Sequence, residues 1–422
     1  MATTSCQVAV IGGGIIGASC ALYLQEAGLD VMLIEREDIA SGASQGNAGG
    51  LAFAEILPLA SPRIIRKALH WMRDPLGPLS LPPAYLPQIA PWLLRLWRAS
   101  WPDRYRANIQ SQVSLIQLAQ TELLSMMART GLDRHLHTEG VLEVYEGAER
   151  FATAQEVTRQ RAHYGIQSQV LQGAALAEFQ PGLSARFTHG IYLDSWRNID
   201  DPYRYTQDVA RHALSQGTRQ LRGKVVHLSP TPSGGRIHLA DGTLVEAQHV
   251  VVAAGAWSHQ LTRPLGDVIP LETERGYNTT LAPDALDLHR QITFPDHGFV
   301  VSPLTCGIRV GGAVELAGLK RAPDYRRSTV MLDKAKAFLP ALRTENGHAW
   351  MGFRPSLPDS LPVIGPARRH LAFIYAFGHG HLGLTQSAAT ARLVRDMVTG
   401  QTPAIPLHPY RPGRFSLFKD SP

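Results

Sequence analysis

A glycine-rich turn between two apolar segments constrains this chain more than any other feature. The first segment, residues 8–11, runs directly into Gly12-Gly13-Gly14-Ile15-Ile16-Gly17. The second, residues 31–34, ends in the acid Glu35. This order predicts a β-strand, a tight turn, an α-helix and a second, parallel strand. A unit of this kind predicts an α/β fold built on a Rossmann-like sheet.

Each position of the turn has its own physical task in binding an ADP group. Gly12 permits the tight turn, Gly14 lets the backbone approach a pyrophosphate, and Gly17 lets the helix pack closely on the strand. The helix N-terminus offers free N–H groups and the positive end of a dipole to the phosphates. Glu35 stands where a carboxylate accepts hydrogen bonds from the adenosine ribose. The sequence therefore predicts a dinucleotide site, and the alternative is a glycine turn without a ligand.

The composition excludes several other classes of protein. The chain has 422 residues, of which 44% are hydrophobic and 18% charged, and this is typical of an ordered protein of about two domains. Because it lacks both a bilayer-spanning apolar run and a signal peptide, we expect a cytoplasmic protein. The net charge of +6 is not gathered in basic runs, so we expect no nucleic-acid partner. Cys6, Cys20 and Cys306 lack the spacing of a metal or redox site, and the first two are expected as buried thiols.

Residues 58–106 differ from the rest of the chain. They contain four of the seven Trp, many Pro and many Arg, and Leu and Arg around residues 93–98 indicate a short amphipathic helix. Basic residues mixed with Trp and Leu are typical of a helix that lies on an anionic membrane surface. The alternative is a helical cap that packs on the protein's own core.

Hydrophobic periodicity predicts the remaining elements. Helices are expected over 108–130, 151–164, 203–216 and 384–399, and strands over 141–145, 221–228, 236–239, 247–254 and 371–376. Residues 268–316 are rich in predicted strands and indicate a second, mainly antiparallel domain inserted into the first.

A second glycine motif, Gly378-His379-Gly380-His381-Leu382-Gly383, follows one predicted strand and opens a helix. No further strand with a terminal acid follows, so it is not a second complete dinucleotide unit. A helix N-terminus at this place would stabilise a ring that gains negative charge, such as a reduced flavin.

Several motifs together resemble the FAD-dependent D-amino-acid oxidase superfamily. They are the first glycine motif with Glu35, the segment 251–258, the segment 352–365 and the helix start at 378–380, in that order along the chain. Within the superfamily, the pattern is most similar to bacterial D-amino acid dehydrogenases. The resemblance implies a Rossmann-like FAD-binding domain with an antiparallel-sheet substrate domain of the glycine oxidase type. We place the FAD-binding domain at 1–57, 141–265 and 345–405, and the substrate domain at 58–140 and 266–344.

The resemblance also implies where FAD would lie. The ADP part would lie on the first glycine motif, the flavin along the small polar segment 41–48, the adenine near residue 225 and the pyrimidine edge at the second glycine motif. No cysteine follows Cys306, so we expect non-covalent FAD. The implied cofactor-binding residues are Gly12, Gly14, Ile15, Ile16, Gly17, Glu35, Arg36, Ser41, Gly42, Ser44, Gln45, Gly46, Asn47, Ala48, Val225, Ala254, Gly255, Gly380, His381, Leu382, Gly383 and Thr385.

Three residues are candidates for the chemistry. The family's substrate-carboxylate arginine falls on Arg354, and a planar guanidinium can hold a carboxylate with two parallel hydrogen bonds. Tyr277 would lie over the substrate or share its carboxylate, and His379 would place partial positive charge at the flavin edge. The packed alternatives are a strand aromatic for Tyr277 and a helix cap for His379.

The implied reaction is oxidative deamination of a D-amino acid to the 2-oxo acid and ammonia, by hydride transfer from Cα to flavin N5. A quinone or another electron acceptor would take the electrons, with peripheral contact to the inner membrane. Oxidation of a secondary or cyclic amine such as proline, hydroxyproline, sarcosine or glycine is the first alternative. An NAD-dependent dehydrogenase and a non-catalytic FAD-binding subunit are further alternatives.

Overall fold

The computed structural model describes residues 3–62, 68, 71 and 76–415. Its central element is an eight-stranded sheet that contains the predicted βαβ unit. The strand Thr3–Ile11 lies between Val31–Glu35 and Leu244–Val252 and is parallel to both. The other strands of this sheet are Arg219–Arg222, Val225–Thr231, Gly234–Leu239, Val363–Pro366 and Phe373–Phe377.

Helices cover one face of this sheet. The helix Ile15–Glu26 follows the glycine turn, and Ala18, Cys20 and Leu22 within it have no exposed surface. It packs among three further helices, Pro102–Thr130, Pro202–Ser215 and Gly383–Val398. Because apolar residues cover most of its circumference, this helix is buried on nearly all sides rather than amphipathic.

The second sheet has nine strands and is mainly antiparallel. The strand Glu272–Thr280 lies second from one edge, between Gly307–Leu316 on one side and His348–Ser356 on the other. A bulge interrupts the first of these pairings between Arg275 and Tyr277. The remaining strands are Leu79–Ser80, Val141–Tyr145, Gln169–Gln172, His189–Leu193, Gln291–Phe294 and Phe299–Leu304.

The segments that form the two sheets differ from the domain boundaries that we predicted. The strands over residues 141–193 and the strand His348–Ser356 belong to the nine-stranded sheet, although we placed both stretches in the FAD-binding domain. Conversely, the helix Pro102–Thr130 packs with the helices of the first sheet, although we placed all of it in the substrate domain. The prediction assigned contiguous segments to each domain. This failed because strands that are neighbours in a sheet lie far apart in the sequence, and tertiary packing determines which strands pair.

The predicted elements are present with shifted ends. The predicted helix 108–130 begins at Pro102, where Pro in the first turn is favoured because its missing N–H needs no partner. The predicted amphipathic helix around 93–98 is Leu86–Ala99. Further α-helices among the described residues are Gly147–His163, Ala174–Phe179, Ser258–Thr262 and Arg326–Phe338. A small third sheet joins Gly50–Leu51, Leu136–His137 and Arg197–Ile199.

Cys6 and Cys20 are buried free thiols, as expected. Within the described residues, no helix combines the length and the apolar character needed to cross a membrane.

Candidate functional site

A long cavity lies between the carboxyl ends of the parallel strands and one face of the nine-stranded sheet. Ile11, Glu35, Ala253 and Phe377 border it at the ends of four parallel strands or directly after them. In open α/β sheets this edge is the usual place for a ligand. The cavity continues to the second sheet, where Gly276, Gly311 and Arg354 line it among others.

The first glycine turn has the geometry that its sequence predicts. Gly12 has φ +111°, and a Cβ there would lie 2.4 Å from the carbonyl oxygen of Ala253. A Cβ at Gly17 would lie 1.8 Å from the carbonyl oxygen of Gly12, so the helix packs directly on the turn. At Gly14 the nearest atom to an added Cβ is the Ser44 hydroxyl at 3.5 Å. The turn is therefore closed behind Gly12 and Gly17 but open at Gly14, where a pyrophosphate would approach.

The polar groups of this end fit an ADP group. The helix after Gly14 has no side-chain cap, and its first N–H, that of Ile15, donates to the Ser44 hydroxyl at 3.0 Å. Glu35 accepts hydrogen bonds from the backbone N–H groups of Gly13 at 2.5 Å and Arg36 at 2.7 Å. A carboxylate has about four lone-pair positions, so Glu35 retains acceptor capacity for a ribose hydroxyl.

The segment 41–48 is held against the second sheet by residues that sequence reasoning missed. The Asn278 amide donates to the carbonyl oxygen of Gly46 at 3.0 Å. The buried Arg309 guanidinium donates to the carbonyl oxygens of Asn47 at 2.6 Å and Gln45 at 3.2 Å. Asn278 and Arg309 line the cavity side of the sheet, and the sequence carries no signal for this, because the face on which a strand residue lies depends on the register of the strand.

Glycine makes room for large side chains on the cavity face of this sheet. A Cβ at Gly276 would lie 2.5 Å from Cζ of Arg354, so the guanidinium extends across the glycine on the neighbouring strand. The indole ring of Trp350 likewise lies across Gly352, where a Cβ would be 1.9 Å away, and across Gly46, at 2.0 Å. Each large side chain thus uses the space that a missing Cβ leaves.

Arg354 has the surroundings of an anion-binding group. Its Nη1 donates to the carbonyl oxygen of Ala313 at 3.1 Å, and within the described part of the chain it forms no ion pair. Burial lowers the pKa of Arg354, and Glu274 on the adjacent strand opposes that shift. An arginine charge kept in a cavity wall without a paired carboxylate is suited to a substrate carboxylate.

The second glycine motif is fastened to the strand that carries Arg354. Gly380 has φ +56°, and its N–H donates to the carbonyl oxygen of Pro355 at 2.7 Å. His379 forms a backbone bridge to Ser356. The helix Gly383–Val398 therefore begins beside the strand that carries Arg354.

The roles expected for Tyr277 and His379 do not fit their side chains. Tyr277 borders the cavity, but its ring packs in the core behind the sheet and its hydroxyl donates to Glu315 at 2.6 Å. Alternation along the strand places Asn278 towards the cavity and Tyr277 away from it. His379 is 4% exposed, Nε2 lies 2.9 Å from the Thr390 hydroxyl, and burial lowers its pKa to about 3. The imidazole is therefore neutral and places no charge at the cavity.

Most of the predicted cofactor-binding residues line the cavity. Four do not: Gly17 packs on the turn, Gln45 contributes a carbonyl to Arg309, and Leu382 and Thr385 are buried in the helix start. Those on the cavity wall are Gly12, Gly14, Ile15, Ile16, Glu35, Arg36, Ser41, Gly42, Ser44, Gly46, Asn47, Ala48, Val225, Ala254, Gly255, Gly380, His381 and Gly383.

Comparison with known proteins identifies the family. Residues 7–397 match the model of the family described as FAD dependent oxidoreductase, DAO. The chain is 33% identical to a D-amino-acid oxidase of Bradyrhizobium diazoefficiens, over 97% of this chain and 98% of the relative. It is 30% identical to a D-amino acid dehydrogenase of Methylobacterium radiotolerans, over 97% and 99%. The chain belongs to the FAD-dependent oxidoreductase family, as the resemblance indicated, and FAD is its cofactor.

Solved structures show the same fold at low sequence identity. Glycine oxidase from Geobacillus kaustophilus superimposes with a TM-score of 0.76 at 20% identity, over 97% of this chain and 98% of that one. L-proline dehydrogenase from P. horikoshii gives 0.73 at 18% identity, over 98% of both chains. The predicted architecture of a Rossmann-like sheet with an antiparallel second sheet is confirmed. The family match, and not these structures, shows that the alternative of an NAD-dependent enzyme is wrong.

Proposed function

We propose that this FAD-dependent oxidoreductase oxidises a free D-amino acid to its imino acid, which hydrolyses to the 2-oxo acid and ammonia. The observation that carries the proposal is Arg354, an arginine without an ion pair in the described residues, in the wall of the cavity that the glycine turn opens. The D-amino-acid oxidase and D-amino acid dehydrogenases among the relatives support this choice of substrate.

In this proposal the chain positions its ligands and the cofactor supplies the electron chemistry. FAD held in this cavity would supply the acceptor for the hydride. Arg354 holds the substrate carboxylate with two parallel hydrogen bonds and so fixes the orientation of Cα. Asn278, Arg309 and Trp350 hold the segment 45–47, which we assign to the flavin, in one conformation.

We assign FAD to the path that the sequence led us to expect. We assign the pyrophosphate to Gly12, Gly14 and the helix N-terminus, because the turn is open only at Gly14. The ribose would lie at Glu35 and the adenine at residues 223–225, which line the same cavity. The start of the Gly383–Val398 helix would meet the pyrimidine edge of the flavin.

The electron acceptor that we propose is a quinone or another acceptor than oxygen, reached at the membrane surface. Leu94 and Trp97 are exposed on the helix Leu86–Ala99, and Trp101 is exposed directly after it. Arg95 and Arg104 lie close to them in the sequence. Exposed Leu and Trp with Arg are typical of a surface that lies on an anionic bilayer. Arg63, Arg66, Lys67 and Arg73 of the same Trp- and Arg-rich segment lie outside the described residues. In a sedimentation assay with anionic vesicles, we expect the wild-type protein to bind and Trp97→Glu to bind less.

Anaerobic reduction of the flavin tests the proposal directly. The purified holoenzyme is mixed without oxygen with D- and L-amino acids, including proline, and its absorbance is followed before and after air is admitted. Bleaching by D-isomers, followed by slow recovery in air, is the expected result. Fast recovery with peroxide would show that oxygen is the acceptor, and selective bleaching by proline would favour the cyclic amine. A flavin that no amino acid bleaches would contradict the proposed function.

A further inference from the structure

Oxidation of an amino acid requires one event besides hydride transfer. The amino acid arrives as an ammonium, and its nitrogen must lose a proton before its lone pair can assist the departure of the hydride. Building on the proposed function, we propose that the His381 imidazole accepts this proton when the substrate carboxylate binds Arg354. The Glu274 carboxylate is the fixed negative charge beside Arg354 and His381.

The position of His381 follows from the backbone. Gly380 N–H donates to the carbonyl oxygen of Pro355, the residue directly after Arg354, and the bridge from His379 to Ser356 fixes the same turn. His381 is the next residue, and it lines the cavity with Arg354. Unlike His379, which is buried against Thr390, His381 is exposed to the cavity. Its ring is thus accessible to a ligand that Arg354 holds.

The carboxylate of Glu274 acts on both Arg354 and His381, and it raises the pKa of each. It lies directly opposite Arg354 on the adjacent strand and is 7% exposed, and its Oε1 accepts the Ser356 hydroxyl at 2.6 Å. The backbone of Ser356 is also bridged to His379. The Glu274 carboxylate is therefore linked both to the strand that carries Arg354 and to the turn that carries His381. A buried carboxylate with one hydrogen bond of this kind stays in place during the reaction.

Before substrate binds, the site keeps His381 neutral. The charged groups that face it are Arg354 from one strand and Glu274 from the next, and His379 within the turn is neutral. Partial removal from bulk water inside the cavity lowers the pKa of His381, Glu274 raises it, and Arg354 lowers it further. A neutral imidazole is the form that can accept a proton.

Binding of the carboxylate reverses this balance. The carboxylate offsets the Arg354 charge, while the negative charge of Glu274 remains. Since an opposite charge nearby favours the imidazolium, the pKa of His381 rises as the ammonium arrives. The proton passes from the substrate nitrogen to an imidazole nitrogen, and the substrate nitrogen becomes a neutral amine. Its lone pair can then form the C=N bond as the Cα hydrogen leaves with both C–H bonding electrons, as a hydride for which FAD would supply the acceptor. The net change at His381 is the gain of one proton, which is released to solvent after the imino acid leaves.

The pH dependence of the anaerobic reduction rate tests the proposal. In the wild type, the second-order rate constant of flavin reduction at low substrate concentration should be level just above pH 6.5, since neutral His381 predominates there, and should fall at lower pH. In His381→Gln only the free amine can react, so this rate constant should rise about tenfold per pH unit through the neutral range. His289→Gln, which removes an imidazole whose side chain is 77% exposed, is the matched control and should keep the wild-type profile.

Proton uptake supplies a second readout that does not depend on turnover. The holoenzyme is titrated calorimetrically with pyruvate, a carboxylate without an amino group, in two buffers of different ionisation enthalpy. Near neutral pH the wild type should take up a proton on binding, whereas His381→Gln should not, and Glu274→Gln should take up less. Reduction of His381→Gln with a wild-type pH profile, or unchanged proton uptake, would overturn the role of His381. Absence of reduction of the wild type by any amino acid would instead overturn the proposed function itself.

Discussion

The contact between Gly276 and Arg354 predicts that one added methyl group will weaken substrate binding. In Gly276→Ala, the new Cβ would lie 2.5 Å from Cζ and Nη2 of Arg354, whereas ordinary contact begins at 3.4 Å, so the guanidinium must move by about 0.9 Å. Gly276 does not have a positive φ, so the substitution adds no backbone strain. The effect should therefore arise from the displaced guanidinium alone.

The size of the effect follows from hydrogen-bond geometry. The donor–acceptor distances of hydrogen bonds between a guanidinium and a carboxylate vary by only a few tenths of an ångström. A shift of about 0.9 Å therefore breaks one bond of a bidentate pair. A hydrogen bond to a charged group contributes about 1.5–3 kcal/mol. We therefore expect an apparent dissociation constant for D-amino acids about 10- to 150-fold higher in Gly276→Ala.

Rapid anaerobic mixing over a range of substrate concentrations measures this constant, and the flavin absorbance shows that the cofactor is retained. Arg354→Lys supplies the matched background, because a lysine has no planar fork across Gly276. In that background Gly276→Ala should add little, which makes the two effects non-additive. Wild-type substrate affinity in Gly276→Ala, or full additivity with Arg354→Lys, would refute the assignment of the carboxylate to Arg354.

Three further predictions concern the cofactor site and stability. Gly12→Ala places a Cβ 2.4 Å from the Ala253 carbonyl oxygen at a φ of +111°, so the purified variant should lack the flavin band; a wild-type flavin content would contradict the role of the turn. Arg309→Met removes the hydrogen bonds to the Asn47 and Gln45 carbonyls, so FAD should dissociate at least about tenfold more readily in a fluorescence release assay. Burial lowers the folded-state pKa of His379 to about 3, so the unfolded chain binds the extra proton between pH 6.5 and 3. The free energy of unfolding should therefore fall by up to about 1.4 kcal/mol per pH unit as pH drops below 6.5. Denaturant titrations at several pH values should show that the free energy of unfolding of His379→Gln depends less steeply on pH.

The sequence was most informative where function depends on local backbone geometry. The strand, turn and helix around Gly12, Gly14 and Gly17 are encoded within ten residues, and each glycine stands where the structure leaves no room for a Cβ or leaves open space for a ligand. The helix start after Gly380 is local in the same way. Such features need no knowledge of the partners that other strands contribute.

Residues whose role depends on strand register were harder to predict. Tyr277 and Asn278 are neighbours, and only the parity of the strand decides which one faces the cavity. The bulge after Arg275 shifts the pairing with the Gly307–Leu316 strand, so a sequence pattern cannot supply that parity. Arg309 and Trp350 were missed for a related reason: their importance arises from contacts with residues 45–47, more than 250 positions away in the chain.

The interleaving of the two sheets also bears on the order in which this chain matures. The glycine turn is synthesised first, but the strand Thr3–Ile11 can complete its pairing only after Leu244–Val252 has been synthesised. The cavity wall that carries Arg354 forms later still, because it requires residues 348–356. Contacts of such long sequence separation form late and slowly. We expect the nascent chain to have no lasting affinity for the flavin until the helix Gly383–Val398 has left the ribosome, so that cofactor loading completes folding rather than starts it.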